Sequence, residues 1–239
     1  MDNPTTLTPK GKKEQVRQMF NSIAGKYDFL NHLLSFGIDN LWRRRLVKML
    51  SKEKPQRILD IATGTGDLAV ALVKCNPKEI IGADISENML QVGIEKMKRK
   101  KLDSLIKLEL GDSENLKYSN KYFDAITVAF GVRNYEDLDK GLAEMYRVTK
   151  KNGTVWILEF SKPSAFPVKQ IYNSYFKFIL PNIGQMVSKD KQAYTYLPES
   201  VSQFPDGKDF LNHMTKVGFR ENNQIKLSFG IASIYYGRK

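Results

Sequence analysis

A glycine-rich turn beside carboxylates offers the first chemistry in this chain. Leu59–Asp67 reads Leu-Asp-Ile-Ala-Thr-Gly-Thr-Gly-Asp, a short apolar strand running into Gly64, Thr65 and Gly66. Lacking Cβ atoms, the two glycines let a ligand approach the backbone, and either accepts positive φ in a tight turn. Gly64, Gly66 and Ala69 fit the G-x-G-x-x-G/A spacing of dinucleotide sites, a spacing shared by other adenosine cofactors. Asp84 closes the next apolar run, Glu79-Ile-Ile-Gly-Ala-Asp84, at about 20 residues beyond the glycines, where a carboxylate can accept from both ribose hydroxyls. Its alternative role is to cap the helix starting at Ser86. Asp112 follows Lys107-Leu-Glu-Leu-Gly111 and can accept from an adenine amine, or serve only the Gly-Asp turn.

The elements that must position these residues alternate. Strands are expected at Arg57–Ala62, Ile80–Asp84, Ile106–Leu110, Phe123–Ala129 and Thr154–Phe160, and helices at Asp67–Cys75, Glu87–Lys100 and Leu138–Thr149, with Asn152-Gly153 ending the last helix. The helix at Asp67–Cys75 would turn its first N–H groups toward the glycine turn. This order predicts an α/β fold of Rossmann-like type, a mostly parallel sheet with helices on both faces. Gln224–Leu227 and Ile231–Tyr236 are separated by three residues, too few for a crossover helix, so the sheet should close with an antiparallel C-terminal hairpin. A nicotinamide enzyme would usually continue into a second parallel half; a sheet ending in a hairpin is the plan of S-adenosylmethionine methyltransferases.

Two segments stand outside the alternation. Lys10–Leu50 reads as helical, with Val16, Met19, Phe20 and Ile23 at helical spacing and a second amphipathic stretch from Asn40 to Leu50, giving an N-terminal cap over residues 1–50 before a main domain at 51–239. An insertion at about 161–205 carries Val168, Ile171, Tyr172, Tyr175, Phe176 and Ile179 at helical spacing, a stripe that can pack on the sheet or line the mouth of an apolar pocket. Lys169 and Lys177 flank it, and an anionic lipid surface would suit them.

With 239 residues and 41% apolar content, one sizeable core is expected. The excess of 38 basic over 26 acidic residues, a net charge of +12, favours an anionic partner, nucleic acid or membrane surface. Basic runs such as Arg43-Arg44-Arg45 and Lys98–Lys101 lack the aromatic interleaving of single-strand binders. One cysteine and two histidines predict neither disulfide nor metal cluster. Neither a signal segment nor an apolar run of spanning length is evident, so an intracellular, cytoplasmic protein with at most peripheral membrane contact is expected.

Four separated stretches carry a more specific signal: Tyr27-Asp-Phe-Leu-Asn-His-Leu-Leu-Ser-Phe-Gly37 with Trp42-Arg43; Ala129-Phe-Gly-Val-Arg-Asn134; Tyr146–Gly153 with Leu158–Pro163; and Tyr194-Thr-Tyr-Leu-Pro-Glu-Ser200. Together they resemble the UbiE/MenG quinone C-methyltransferases over residues 14–237. The resemblance implies a class I enzyme that uses S-adenosylmethionine to methylate a ring carbon of a prenylated quinol, demethylmenaquinol or a benzoquinol precursor of ubiquinone. It assigns cofactor contact to Gly64, Thr65, Gly66, Asp84, Asp112, Ser113 and Ala129, the last in place of a frequent serine. Asp60 is placed beneath the methionine amino group or holds the turn. Arg133 and Asn134, after the fourth strand, are the first catalytic candidates, Arg133 as stabiliser of a developing phenolate or as partner of Glu136 or Asp137. Asp190 and Tyr194 are the second, as base and hydrogen-bond donor. His213 reads as a packing residue, and His32 falls on no position assignable to chemistry. A nucleic-acid methyltransferase and a non-catalytic cofactor-binding module are the competing readings.

Overall fold

Apolar residues at every second position along the central strands divide the buried core between the two faces of one sheet. The computed structural model describes residues 11–28, 35, 37–174 and 191–239, the side chains at 26, 173 and 191–195 excepted. Seven strands run β1 Arg57–Ile61, β2 Glu79–Asp84, β3 Ile106–Leu110, β4 Phe123–Ala129, β5 Thr149–Phe160, β6 Arg220–Leu227 and β7 Ala232–Arg238. Their order in the sheet is β3-β2-β1-β4-β5-β7-β6; the first five are parallel, and β7 is antiparallel to both β5 and β6. The described helices are α1 Lys12–Ile23, α2 Ile38–Leu50, α3 Asp67–Leu72, α4 Glu87–Arg99, α5 Leu138–Val148, α6 Val168–Ser174, α7 Lys191–Gln203 and α8 Lys208–Lys216.

On one face Leu59, Ile61, Ile126, Val128 and Ile157 pack with Leu142 and Met145 of α5 and Phe210 and Met214 of α8. On the other, Ile58, Ile80, Ala125 and Leu158 meet Leu46 and Leu50 of α2, Leu68 and Leu72 of α3 and Met97 of α4. Helix ends follow local chemistry. Ser86 accepts from the Met89 N–H at the start of α4, and Asp137 accepts from the Lys140 N–H at the start of α5.

The architecture agrees with the expectation from sequence, and most strand and helix boundaries move by a few residues, three of them informatively. The helix expected to Cys75 ends at Leu72 and tightens into a 3₁₀ turn, Val73–Cys75. The second N-terminal helix, expected from Asn40, begins as α2 at Ile38, after Gly37 at φ 72°. Asn152-Gly153 does not end a helix: α5 stops at Val148, and Thr149 is already extended and paired with Phe123. The register then shifts to Ala125 opposite Thr154, and Asn152 takes φ 63° within that bulge. Of the aromatic stripe, Val168, Ile171 and Tyr172 lie on α6, with Ile171 exposed; Tyr175, Phe176, Lys177 and Ile179 lie outside the described residues.

Candidate active site

The sheet reverses its order of connection between β1 and β4, and the loops leaving those two strands face each other, the position where open α/β sheets bind ligands. Both loops turn through left-handed backbone: Ala62 and Gly64 after β1, Phe130 after β4. Their approach depends on Gly131, where a Cβ would lie 2.5 Å from the Ala62 Cβ. Gly64 presents its N–H to the Asp84 carboxylate at 2.7 Å, while the second carboxylate oxygen accepts from the Ser86 N–H at 2.8 Å. Asp84 is therefore both a fastening of the glycine turn and a buried acid. Burial raises its pKa, and the backbone donors pull against that rise.

An open cavity, about 680 Å³ when the solvent at its mouth is included, lies over this edge. Gly64, Asp84, Asp112, Ser113, Ala129 and Asn134, all singled out from the sequence, share its wall, and Val16, Phe20 and Met89 give it an apolar side. The N-terminal segment closes over the mouth. Lys13 pairs with Asp112 at 2.9 Å and Glu114 at 3.1 Å, and Asn21 accepts from Ser86 and Asn88. Tyr27, edge-on to Phe20, also lines the cavity, and burial pushes its phenol up to about 12.

A smaller cavity of about 340 Å³ continues beneath the glycine turn, bordered by Tyr27, Arg43, Asp60, Thr65 and Asp67. Asp60 accepts from Thr63 at 2.6 Å and from Thr127 at 2.7 Å, so it ties the turn to β4 as well as facing the cavity. It is 1% exposed, and burial lifts its pKa to about 6 against the pull of the two hydroxyls. Thr65 donates to Asp28 at 2.5 Å and accepts from the Lys96 ammonium at 3.0 Å. Lys96 also pairs with Asp28 at 2.6 Å and Asp67 at 2.7 Å. Gly66, at φ 82°, lines neither cavity: it forms the turn into α3, its N–H reaching the Thr63 carbonyl at 2.9 Å.

Among the catalytic candidates, the structure separates neighbours. Asn134 reaches the large cavity, and its side-chain oxygen accepts from the Tyr196 hydroxyl at 3.0 Å. Arg133 turns the other way, beneath α7. Its guanidinium meets neither Glu136 nor Asp137 but pairs with fully buried Glu159 at 2.9 Å, bonds the Phe130 carbonyl and Ser200, and stacks 5.5 Å from the Phe160 ring centre. Burial raises the Glu159 pKa while Arg133 opposes the rise. Tyr194 is on α7, its side chain outside the described residues; Asp190 and His32 lie outside them altogether. His213 is on α8, bonded to Asp139 of α5.

Lys96 was given no role from sequence, nor were Asp28, Arg43, Glu159 and Tyr196, although these four lie in the stretches that carry the resemblance. Glu159 had a readable signal, a lone carboxylate in the apolar run Thr154–Phe160. The burial of Arg43 was not legible, because it opens a basic run whose other members, Arg44 and Arg45, are exposed.

Comparison with known proteins follows the same direction. Residues 8–239 match the model of the ubiE/COQ5 methyltransferase family. A demethylmenaquinone methyltransferase of Bacteroides fragilis is 48% identical over 229 residues, covering 95% of this chain and 94% of the relative. The ubiquinone/menaquinone biosynthesis C-methyltransferase UbiE of Geobacter sulfurreducens is 44% identical, covering 98% of this chain and 91% of the relative. In fold, the chain resembles a SAM-dependent methyltransferase of Thermotoga maritima, with a TM-score of 0.65 at 21% identity over 93% of this chain and 99% of the other. The sheet closes on an antiparallel pair at the edge away from β3, and by sequence over nearly its whole length the chain belongs to the ubiE/COQ5 methyltransferase family.

Proposed function

We propose that this enzyme methylates a ring carbon of a prenylated quinol, with demethylmenaquinol as the acceptor and S-adenosylmethionine as the donor. The observation that carries the reading is the shared wall of the large cavity, where Gly64, Asp84, Asp112, Ser113, Ala129 and Asn134 meet. In this reading Asp84 takes the ribose hydroxyls, Asp112 and Ser113 the adenine, and Asp60 the amino group. The fit to the donor is supported by close-packed glycines: a Cβ on Gly64 would press on Met89, and one on Gly111 would lie 3.0 Å from the Ala83 Cβ. The menaquinone acceptor is favoured by the names of the relatives in Bacteroides fragilis and Porphyromonas gingivalis. The reading assigns no role to a metal.

Bound there, S-adenosylmethionine supplies an electrophilic methyl group. The protein's task is to hold the quinol so that its ring carbon is electron-rich: a phenolic proton is removed or polarised, the donor's methyl carbon–sulfur bond would give way to the new carbon–carbon bond with the neutral thioether as leaving group, and the ring proton then leaves to restore aromaticity. Asn134 and Tyr196, already bonded to each other, are placed to hold a quinol oxygen. Arg133 sits behind them as the fixed positive charge that favours a developing phenolate, held by Glu159. A guanidinium stays protonated near neutral pH and is not itself the base. Asp190 and Tyr194 are our candidates for moving the proton. In this reading α1 covers the donor, through Lys13 on Asp112 and Glu114, and α7 covers the acceptor side, through Tyr196 on Asn134.

We also propose that the enzyme meets a membrane surface from the cytoplasm. Among the described residues no helix is long and apolar enough to cross a membrane. Phe229 and Leu41 are 82% and 58% exposed, and they are brought together because Trp42 donates to Ser228 at 2.9 Å. Exposed Arg44, Arg45 and Lys226 follow on the same elements, an arrangement suited to apolar insertion under anionic headgroups.

Two measurements test the reading. Calorimetry with S-adenosylhomocysteine should show binding to the wild type and clear weakening in Asp84→Ala; undiminished affinity would discard the ribose assignment. Labelled methyl should move to a reduced demethylmenaquinone analogue, and transfer to RNA instead would defeat the quinol assignment.

A further inference from the structure

The smaller cavity holds one positive and one negative side chain whose local partners leave each incomplete. Arg43, 6% exposed, enters from α2. One guanidinium nitrogen bonds Asp39, one helical turn earlier, and the group lies 5.6 Å from the Phe130 ring centre. Its Nε is buried, with no hydrogen-bond partner. A buried donor on a charged group is seldom left so, because it has surrendered water and received nothing. On the same cavity, Asp60 is supported only by the neutral hydroxyls of Thr63 and Thr127, and no ion pair to it is found among the described residues. Both groups border the glycine turn through which the donor reading runs.

We propose that Arg43 is a ligand-binding residue which takes the α-carboxylate of the methyl donor, so that Arg43 and Asp60 together form a receptor for a zwitterionic amino acid. The inference rests on the donor assignment above and adds the residue that selects for the amino-acid end. Arginine suits the position. Its planar fork keeps one nitrogen on Asp39 and leaves another edge to meet a carboxylate, which a lysine ammonium cannot do with the same geometry. Asp39, itself 1% exposed, thereby becomes the residue that fixes the fork.

The test compares two ligands by calorimetry: S-adenosylhomocysteine, which carries the amino-acid group, and 5′-methylthioadenosine, which lacks it. In Arg43→Gln, S-adenosylhomocysteine should bind about 10- to 100-fold more weakly, the range for losing a charge-assisted hydrogen bond. The affinity for 5′-methylthioadenosine should stay within roughly 3-fold of the wild type on the same scale, which also reports that the variant is folded. Arg43→Lys should recover part of the S-adenosylhomocysteine affinity and none for the other ligand. Equal losses for both ligands, or S-adenosylhomocysteine binding to Arg43→Gln as to the wild type, would overturn the proposal. A wild type that binds neither ligand would instead overturn the donor assignment, and this proposal with it.

Discussion

Replacing Asp60 with asparagine should make the protein more stable at neutral pH, by an amount that depends on pH in a defined way. Asp60 is 1% exposed and its carboxyl titrates at about 6 in the fold, against 3.8 ordinarily. The folded state thus holds this proton more tightly than the unfolded chain does. That contribution is present in full below about pH 4 and is lost as the pH rises through 6. At ~1.4 kcal/mol per pH step across that interval, the wild type gives up roughly 3 kcal/mol, about 2 kcal/mol of it between pH 4.5 and 6.5. The asparagine amide does not titrate. It keeps the size of the carboxyl, and the hydroxyls of Thr63 and Thr127 can each rotate to donate or accept. Urea unfolding of both proteins at pH 4.5, 5.5, 6.5 and 7.5 should therefore give a stability difference that grows in favour of Asp60→Asn and levels off above pH 7. Other buried acids such as Asp84 and Glu159 cancel in that difference. A difference that is flat with pH would refute the reasoning, because it would mean that Asp60 titrates alike in both states. The stabilised variant should also bind S-adenosylhomocysteine more weakly, having lost its charge for the amino group.

Arg133→Ala should lower unfolding free energy by about 3–5 kcal/mol, since it strands the buried Glu159 carboxylate; adding Glu159→Gln should restore most of the loss, and single variants as stable as the wild type in urea would contradict the burial argument. Under conditions where it stays folded, Arg133→Ala should retain donor affinity and lose turnover, measured by calorimetry and methyl transfer. Gly131→Ala forces a Cβ to within 2.5 Å of the Ala62 Cβ, so an overpacking cost of about 1–3 kcal/mol is expected from thermal or urea unfolding. The Leu41→Ser, Phe229→Ser double variant should sediment less with vesicles containing phosphatidylglycerol while methylating a short-tailed soluble quinol at the wild-type rate; equal sedimentation would remove this tip from the membrane contact.

Much of the sheet was legible because strand signals are local. Ile106–Leu110, apolar at alternate positions, and Phe123–Ala129, a nearly continuous apolar run, were both bounded by sequence alone. The bulge in β5 was not, because Lys150-Lys151-Asn152-Gly153 carries the basic and left-handed residues that usually close a helix. Only the pairing of Thr149 with Phe123 shows that the chain was already extended. The wall we assign to the donor was largely legible because the glycine turn and Asp84 occupy positions dictated by β1 and β2. What the sequence hid were partners set by topology: Glu159 for Arg133 lies 26 residues away on the adjoining strand, and Tyr196 reaches Asn134 across 62 residues.

The buried ammonium of Lys96 makes the N-terminal segment something other than a detachable accessory. Its carboxylate partners come from both sides of the expected boundary at residue 50, Asp28 from the segment and Asp67 from the glycine turn. Cutting the chain between them would leave Lys96, 7% exposed, with part of its counter-charge gone, and would free Thr65 from the hydrogen bond that holds it. The catalytic sheet and its covering are thus inherited together: a graft of the Rossmann-like half alone would carry the glycine turn without the electrostatic conditions under which that turn has its shape.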